Sequence, residues 1–170
     1  MSDATTRRWA TGIAIGSLAV LVVTSLLVYW SASRLSEPAY ATGQPIDLPA
    51  SLYQGASHTL VVVARSSCGG CQAAKPFLGE LVAGMRRVAG SRVALVVERS
   101  DAVEQAFARE IGIAPGEVVP LDVQRFNVRR VPTVLVVDGA GTIRFSHENA
   151  PVAAEQAALL AKYREALRRP

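Results

Sequence analysis

The chain has 170 residues, enough for one ordinary domain and a short additional segment. Its hydrophobic fraction of 50% is high for a soluble protein, and the excess lies in one segment near the N-terminus. The net charge is a modest +4, and no basic run is interleaved with aromatic residues. The composition therefore excludes a nucleic-acid-binding surface and predicts no nucleic-acid partner.

The segment 11–30, TGIAIGSLAVLVVTSLLVYW, carries no charged residue. A helix of this length spans ~30 Å, the thickness of a bilayer's hydrocarbon core, so the segment predicts one transmembrane helix in contact with lipid. Arg7 and Arg8 precede it, which predicts a cytoplasmic N-terminus (residues 1–10) and an extracytoplasmic remainder. A cleaved secretory signal is the alternative, because AYA at 39–41 has the form of a cleavage site. Both interpretations export the rest of the chain.

Residues 31–41 lack periodicity and predict a tether, so the globular domain is placed at residues 42–170. Within the domain, short apolar runs bounded by polar residues predict strands, and longer amphipathic stretches predict helices. The predicted strands are Thr59–Ala64 and Arg92–Val97, followed by a hairpin of Val131–Asp138 with Thr142–His147. The predicted helices run from Cys68 or Gly69 to about Val88, over SDAVEQAFAREIGI, and from about Val152 to Arg168.

Local signals refine these helices. Pro76 should kink the first helix, because proline removes a backbone hydrogen bond. Ser100 or Asp101 is placed to cap the second helix, with Glu104 completing a capping box. The order of elements predicts an α/β fold with a mixed sheet covered by helices on both faces.

The two cysteines of the chain are Cys68 and Cys71, in the stretch RSSCGGCQAAKP directly after a predicted buried strand. The free N–H groups of a helix N-terminus stabilise a thiolate, so Cys68 is predicted to be the attacking thiol. Cys71 lies one helical turn further on and is placed to resolve the mixed disulfide. Export also puts both thiols where disulfides persist.

Three features in the same order carry a resemblance to the thioredoxin-like superfamily. CGGCQAAKP resembles the thioredoxin-type redox motif, including the proline five residues after the second cysteine. FNVRRVPTVLVVDGAGTI resembles the segment in which a cis-proline, here Pro132, faces the disulfide. SDAVEQAFAREIGIAPGEVVPLD resembles the additional helix and strand of the TlpA/ResA-like branch. The resemblance covers about residues 42–168 and implies a thioredoxin-like fold after one N-terminal transmembrane helix.

The resemblance also implies a function and a location. It implies a thiol-disulfide oxidoreductase of the bacterial inner membrane with a periplasmic domain, reducing client disulfides, for example in cytochrome c maturation. The expected partners are a protein dithiol or disulfide client and a membrane electron donor or complex. The expected substrate groove contains Val131, Thr133, Gly69 and Gly70 beside Pro132. No organic cofactor is expected, because the dithiol itself carries two electrons. The direction of the reaction, as reductase, oxidant or isomerase, stays open.

Several positions depart from the pattern of the family. Ser67 stands where a Trp commonly precedes the first cysteine, and Val62 occupies the position of a buried carboxylate. Ala74 occupies the position of a glutamate in ResA-like proteins. Glu98, at the end of the neighbouring strand, is the candidate for proton transfer with Cys71, and a solvated strand-end charge is its alternative role.

Three other interpretations of the cysteine pair compete with a redox site. A closed zinc site needs four ligands, and the chain offers only His58 and His147 beside the cysteines, so no metal is predicted. A structural disulfide would close too short a loop to stabilise the fold much. A non-catalytic thioredoxin-like subunit docking in a membrane complex is the alternative function, favoured by the missing Trp and carboxylate.

Overall fold

The computed structural model describes residues 20–30, 39–122, 126 and 128–168, and the chain divides into two units between Glu37 and Pro38. In the first unit, residues 20–30 form an exposed helix. The rest of the predicted transmembrane segment, 11–19, and residues 31–38 of the tether lie outside the described residues. Among the helices that the structure describes, none is both long and apolar enough to cross a membrane.

The described residues of the second unit form a mixed five-stranded sheet. Its strands are β1 (His58–Val63), β2 (Arg92–Val97), β3 (Val118–Pro120), β4 (Thr133–Asp138) and β5 (Ile143–Glu148). They lie in the order β3-β2-β1-β4-β5, with β1, β2 and β3 parallel to one another and β4 antiparallel to both β1 and β5. The predicted strands are confirmed, with ends that differ by one or two residues. β1 and β4 are buried along their whole length, as their continuous apolar sequences indicate.

In the part of this unit that the structure describes, four helices accompany the sheet: α1 (Gly69–Ala73), α2 (Lys75–Met85), α3 (Ala102–Glu110) and α4 (Ala153–Ala166). The single kinked helix expected after Cys68 is two helices, divided at Ala74. Pro76 explains the division, because it has no N–H and its ring crowds the carbonyl four residues earlier. It is instead tolerated in the first turn of α2. The additional helix and strand predicted between β2 and the hairpin are present as α3 and β3.

The two faces of the sheet are covered differently. Leu60 and Val62 of β1 belong to a core cluster that contains buried residues of all four helices. Val61 and Val63 face a second cluster, closed by residues of the segment 39–53 and its short 3-10 turn at Ala50–Leu52. The expectation of helices on both faces therefore needs correction for the described residues. The apolar Tyr40, Ile46, Leu48 and Leu52 cover the second face without forming an α-helix.

Candidate functional site

The cysteine pair lies at the carboxyl edge of the parallel strands. β1 ends at Val63, residues 64–67 form a loop, and Cys68 is the N-cap of α1. The Cys68 sulfur accepts a hydrogen bond from the backbone N–H of Cys71, with Sγ and N 3.3 Å apart. The cap thus places the sulfur of the first cysteine against the free N–H groups of a helix start, as the sequence predicts.

The two thiols are both free but differ in exposure. Cys68 is half-buried, whereas Cys71 is fully buried in the core cluster that also holds Val62. Only the Cys68 sulfur is therefore accessible to a second protein. This asymmetry is what an attacking thiol and an internal resolving thiol require.

The environments of the thiols move their pKa values in opposite directions. Burial alone would raise the pKa of Cys68, but hydrogen bonds from the Cys71 thiol and from the N–H groups of Cys71 and Gly70 outweigh it. Together with the charge of Arg65, they lower the pKa of Cys68 below its usual 9.0. Burial raises the pKa of Cys71 to about 12, helped by the neighbouring Cys68 and Glu104. One thiol is prepared to ionise and the other to stay protonated.

Opposite the cysteines lies the segment 131–132. The peptide bond between Val131 and Pro132 is cis, which confirms the geometry that the resemblance implied. The Cys68 thiol donates to the Val131 carbonyl, with Sγ and O 3.7 Å apart. A Cβ placed on Gly70 would lie 3.8 Å from Cys68 Sγ and 3.9 Å from Pro132 Cδ. Cys68, Gly70, Val131 and Pro132 therefore surround one small space.

Two residues of the predicted groove lie differently. Gly69 is exposed, and a Cβ added to it would meet no atom within 4 Å, so it lies on the open side of α1. Thr133 is fully buried, and its hydroxyl donates to the Arg130 carbonyl at 2.5 Å. The structure thus brings Gly70, Val131 and Pro132 together and leaves Thr133 behind the surface of the groove.

The carboxylates near the motif have separate partners. Glu98 is exposed and forms an ion pair with Arg65, with Nη2 and Oε1 2.6 Å apart. A role of Glu98 in proton transfer stays a prediction. Through this pair, Glu98 contacts the residue whose charge lowers the pKa of Cys68.

Glu104 corrects a local expectation and is the residue of this site that sequence reasoning missed. Asp101 caps α3 by accepting from the N–H groups of Val103 and Glu104, both at 3.0 Å. The Glu104 carboxylate does not complete the capping box but accepts from Ser66, in the loop before Cys68. Since 38 residues separate Ser66 from Glu104, no local pattern in the sequence signals this contact.

The described part of the chain offers no cluster of three or more residues suited to hold a metal ion. His58 begins β1, at the opposite end of the strand from the cysteines. His147 packs its ring edge-on against Phe77, with the ring centroids 6.2 Å apart.

No family model and no curated protein matches the chain. Solved structures do. A protein described as a disulfide isomerase from Bacteroides thetaiotaomicron is 16% identical, with a TM-score of 0.56 over 76% of this chain and 92% of that one. A protein described as the thiol:disulfide interchange protein DsbE from Chlorobium tepidum is 19% identical, with a TM-score of 0.51 over 66% and 82%. A thioredoxin-like protein in its oxidised form is 19% identical, with a TM-score of 0.51 over 73% and 92%. At these identities the likeness shows the fold, which is thioredoxin-like, as the motifs predicted.

Proposed function

We propose that this protein is a thiol-disulfide oxidoreductase that reduces disulfides of client proteins, with Cys68 as the attacking and Cys71 as the resolving thiol. The observation that carries the proposal is the opposite perturbation of the two thiols. Cys68 is accessible and its pKa is lowered, whereas Cys71 is buried and its pKa is raised to about 12. A pair that served only to staple the fold would not need this difference.

The proposed reaction follows from the different roles of the two cysteines. The Cys68 thiolate attacks one sulfur of the client disulfide, forming a mixed disulfide and releasing the other client sulfur as a thiolate. Cys71 then loses its proton and attacks Cys68 Sγ, which forms the Cys68–Cys71 disulfide and releases the second client sulfur. Two electrons pass to the client. A dithiol carrier or membrane electron donor must return them for the next cycle.

The groove around Pro132 suits a client chain. The Val131 carbonyl lies 3.7 Å from Cys68 Sγ, so a client backbone that pairs with Val131 would bring its own sulfur next to the nucleophile. Gly70 adds no side chain to this space, which leaves room for a peptide. A protein client, such as an apocytochrome c, fits this arrangement better than a small disulfide does.

We further propose that the domain works on the extracytoplasmic side of the bacterial inner membrane, tethered through residues 11–30. The uncharged sequence of that segment and the arginines before it support the proposal. Fusing a reporter that is active only in the periplasm to the C-terminus tests it. An active reporter in the membrane fraction is expected, and an active reporter fused at residue 10 would contradict the orientation.

The redox function is tested by equilibrating the full chain, in detergent, with glutathione buffers and alkylating the remaining thiols. A reversible intramolecular disulfide with a potential near or below about −250 mV supports a reductase. A potential near about −120 to −180 mV would instead assign an oxidant or isomerase. If no reversible disulfide forms, the chain is a docking subunit with the thioredoxin-like fold and not an enzyme.

A further inference from the structure

Two exposed valines distinguish the surface around Cys68 from the rest of the domain. Among the described residues of the second unit, Val103 and Val152 are the large apolar side chains that stay mostly exposed, at 63% and 61%. Val103 lies in the first turn of α3, and Val152 is the N-cap of α4. Exposed apolar residues scattered singly over a surface are ordinary, but these two lie at the same edge of the sheet as the thiol.

The directions of the strands place both valines at that edge. β2 is parallel to β1, and α3 begins shortly after the end of β2. β5 runs in the same direction as β1, because β4 is antiparallel to both, and α4 begins shortly after the end of β5. The starts of α3 and α4 therefore lie at the carboxyl edge of the sheet, where β1 leads into Cys68.

On one side of the cysteine, hydrogen bonds join the start of α3 to the loop before Cys68. Glu104, the residue after Val103, accepts from the backbone N–H of Ser66 with N and both carboxylate oxygens 3.0 Å apart. The Ser66 hydroxyl donates to Glu104 Oε1 at 2.7 Å. The turn that carries Val103 is thus fixed beside the loop from which Cys68 begins.

On the other side, the loop before α4 contacts both walls of the groove. The N–H of Asn149 donates to the Pro132 carbonyl at 2.8 Å. A Cβ placed on Gly70 would lie 3.8 Å from the Cβ of Ala150, two residues before Val152. The two valines therefore flank the groove that contains the reactive sulfur.

The helices that follow the valines lie on either side of α2. The Tyr163 hydroxyl of α4 donates to the Leu81 carbonyl of α2 at 2.7 Å, and Lys75 of α2 pairs with Glu110 of α3. Packed helices lie about 8–10 Å apart, so about 16–20 Å separate α3 from α4. An extended chain advances about 3.3 Å per residue, so about six residues bridge this distance. Gly69, which is exposed on α1, leaves the surface between them open.

We propose that Val103 and Val152 are two apolar contact sites for the client, so that the enzyme selects extended segments with an apolar residue about three positions to either side of the reacting cysteine. The proposal rests on the function proposed above and deepens it, because it names the client sequence that the groove takes. Burial of the two valines against the client would supply the preference. Since apolar side chains are mostly buried in folded proteins, the client class is a protein that has not completed folding.

The test uses the reduced full chain in detergent and short peptides whose single cysteine carries thionitrobenzoate in a disulfide. The Cys68 thiolate attacks the peptide sulfur, because the aryl thiolate is the better leaving group. This step joins the peptide to Cys68 and releases the coloured aryl thiolate, so absorbance reports formation of the mixed disulfide. The first peptide has leucines three positions before and after its cysteine, the second has serines at both places, and the third has leucines directly beside the cysteine.

The wild type should react about tenfold faster with the first peptide than with the second, and the third should lose most of this preference. Val103→Thr and Val152→Thr keep the shape of the side chain and replace one methyl by a hydroxyl. Each should lower the ratio of the first rate to the second about threefold, as expected for one methyl. The ratio cancels any change in the intrinsic reactivity of Cys68. Ala161→Ser, exposed on α4 far from its start, is the matched control and should keep the wild-type ratio.

Equal rates of the wild type with the first two peptides would overturn the proposal and leave the oxidoreductase function intact. A preference that survives in both valine variants would also overturn it, because the apolar contacts would then lie elsewhere. A third peptide as fast as the first would contradict the spacing of the two sites. Circular dichroism checks that each variant is folded. A folded wild type that releases aryl thiolate from none of the peptides would refute the oxidoreductase function itself, separately from the role of the valines.

Discussion

The first turns of α1 and α3 are built alike and differ in one chemical group. Each helix starts a few residues after a buried parallel strand, and each is capped by a side chain that accepts from backbone N–H groups two or three residues later. At α3 the cap is the carboxylate of Asp101, which accepts from the N–H groups of Val103 and Glu104. At α1 it is the sulfur of Cys68, whose charge depends on its protonation and on its bonding. The same geometry that stabilises a helix at α3 prepares a nucleophile at α1.

The difference teaches where the chemistry of this fold resides. Helix capping lowers the energy of whichever anionic group occupies the cap, so replacing a carboxylate by a thiol turns a stabilising contact into a reactive one. The two starts also touch, because Glu104 in the first turn of α3 accepts from Ser66 just before Cys68. The first turn of α3 therefore supports the loop from which α1 and Cys68 begin.

Replacing a cysteine by serine gives the largest expected effect. Serine is a good N-cap, so Cys68→Ser should keep α1 and the fold but lose all formation of mixed disulfides. Cys71→Ser should retain attack by Cys68 and lose turnover, because nothing resolves the complex with the client. Non-reducing electrophoresis with mass spectrometry of trapped complexes measures both. Trapping by Cys68→Ser would mean that the two roles are assigned the wrong way round.

The next test of the difference between the two helix starts is a pH titration of the reduced protein. Thiolate formation is followed by its ultraviolet absorbance. One thiolate should appear below the usual cysteine pKa of 9.0, from Cys68. The second, from Cys71, should appear at about 12. Cys68→Ser should remove the first step, and a single step of double amplitude near 9.0 would contradict the assignment.

The same shifts predict how stability depends on pH. The lowered pKa of Cys68 increases the free energy of unfolding at pH values above 9.0. This contribution is lost as the pH falls through the pKa that Cys68 has in the folded protein. For Cys71, the raised pKa contributes stability below 9.0, and this is lost as the pH rises toward about 12. Urea unfolding of reduced protein on both sides of 9.0 measures the effect. Cys71→Ser should lack the loss at high pH.

Removing the Asp101 cap of α3 should have a smaller effect, and it should change the stability of the fold and not the reactivity of Cys68. Asp101→Ala leaves the N–H groups of Val103 and Glu104 without their acceptor and should lower the free energy of unfolding by about 1 kcal/mol. Asp101→Asn retains a capping oxygen and serves as the control. The rate of alkylation of Cys68 should be unchanged in both. A changed alkylation rate in Asp101→Ala would show that the cap of α3 also influences the reactivity of Cys68.

Much of this architecture is predictable from the sequence, because it depends on local patterns. The strands follow from continuous apolar runs such as TLVVVA, and Cys68, Cys71 and Pro132 follow from motifs whose order is specific. Contacts between distant parts of the chain were not predictable. Glu104 satisfied a local capping pattern, yet it pairs with Ser66 because folding brings the two loops at the carboxyl edge of the sheet together. Likewise, Ala74 divides a helix whose amphipathic pattern continues past Pro76.

The residues between the cysteines provide the finest test, because Gly69 and Gly70 both lie in the first turn of α1. Alanine at either position should stabilise the helix by about 0.5–1 kcal/mol, since it reduces the conformational freedom of the unfolded chain. A Cβ on Gly70 would lie 3.8 Å from Cys68 Sγ and 3.9 Å from Pro132 Cδ, which is ordinary contact and not a clash. A Cβ on Gly69 would contact nothing within 4 Å. Gly70→Ala should therefore slow attack on a protein client but not on a small aryl disulfide, whereas Gly69→Ala should slow neither. Equal slowing by both variants would mean that helix stability, and not the space between Cys68 and Pro132, controls access to the thiol.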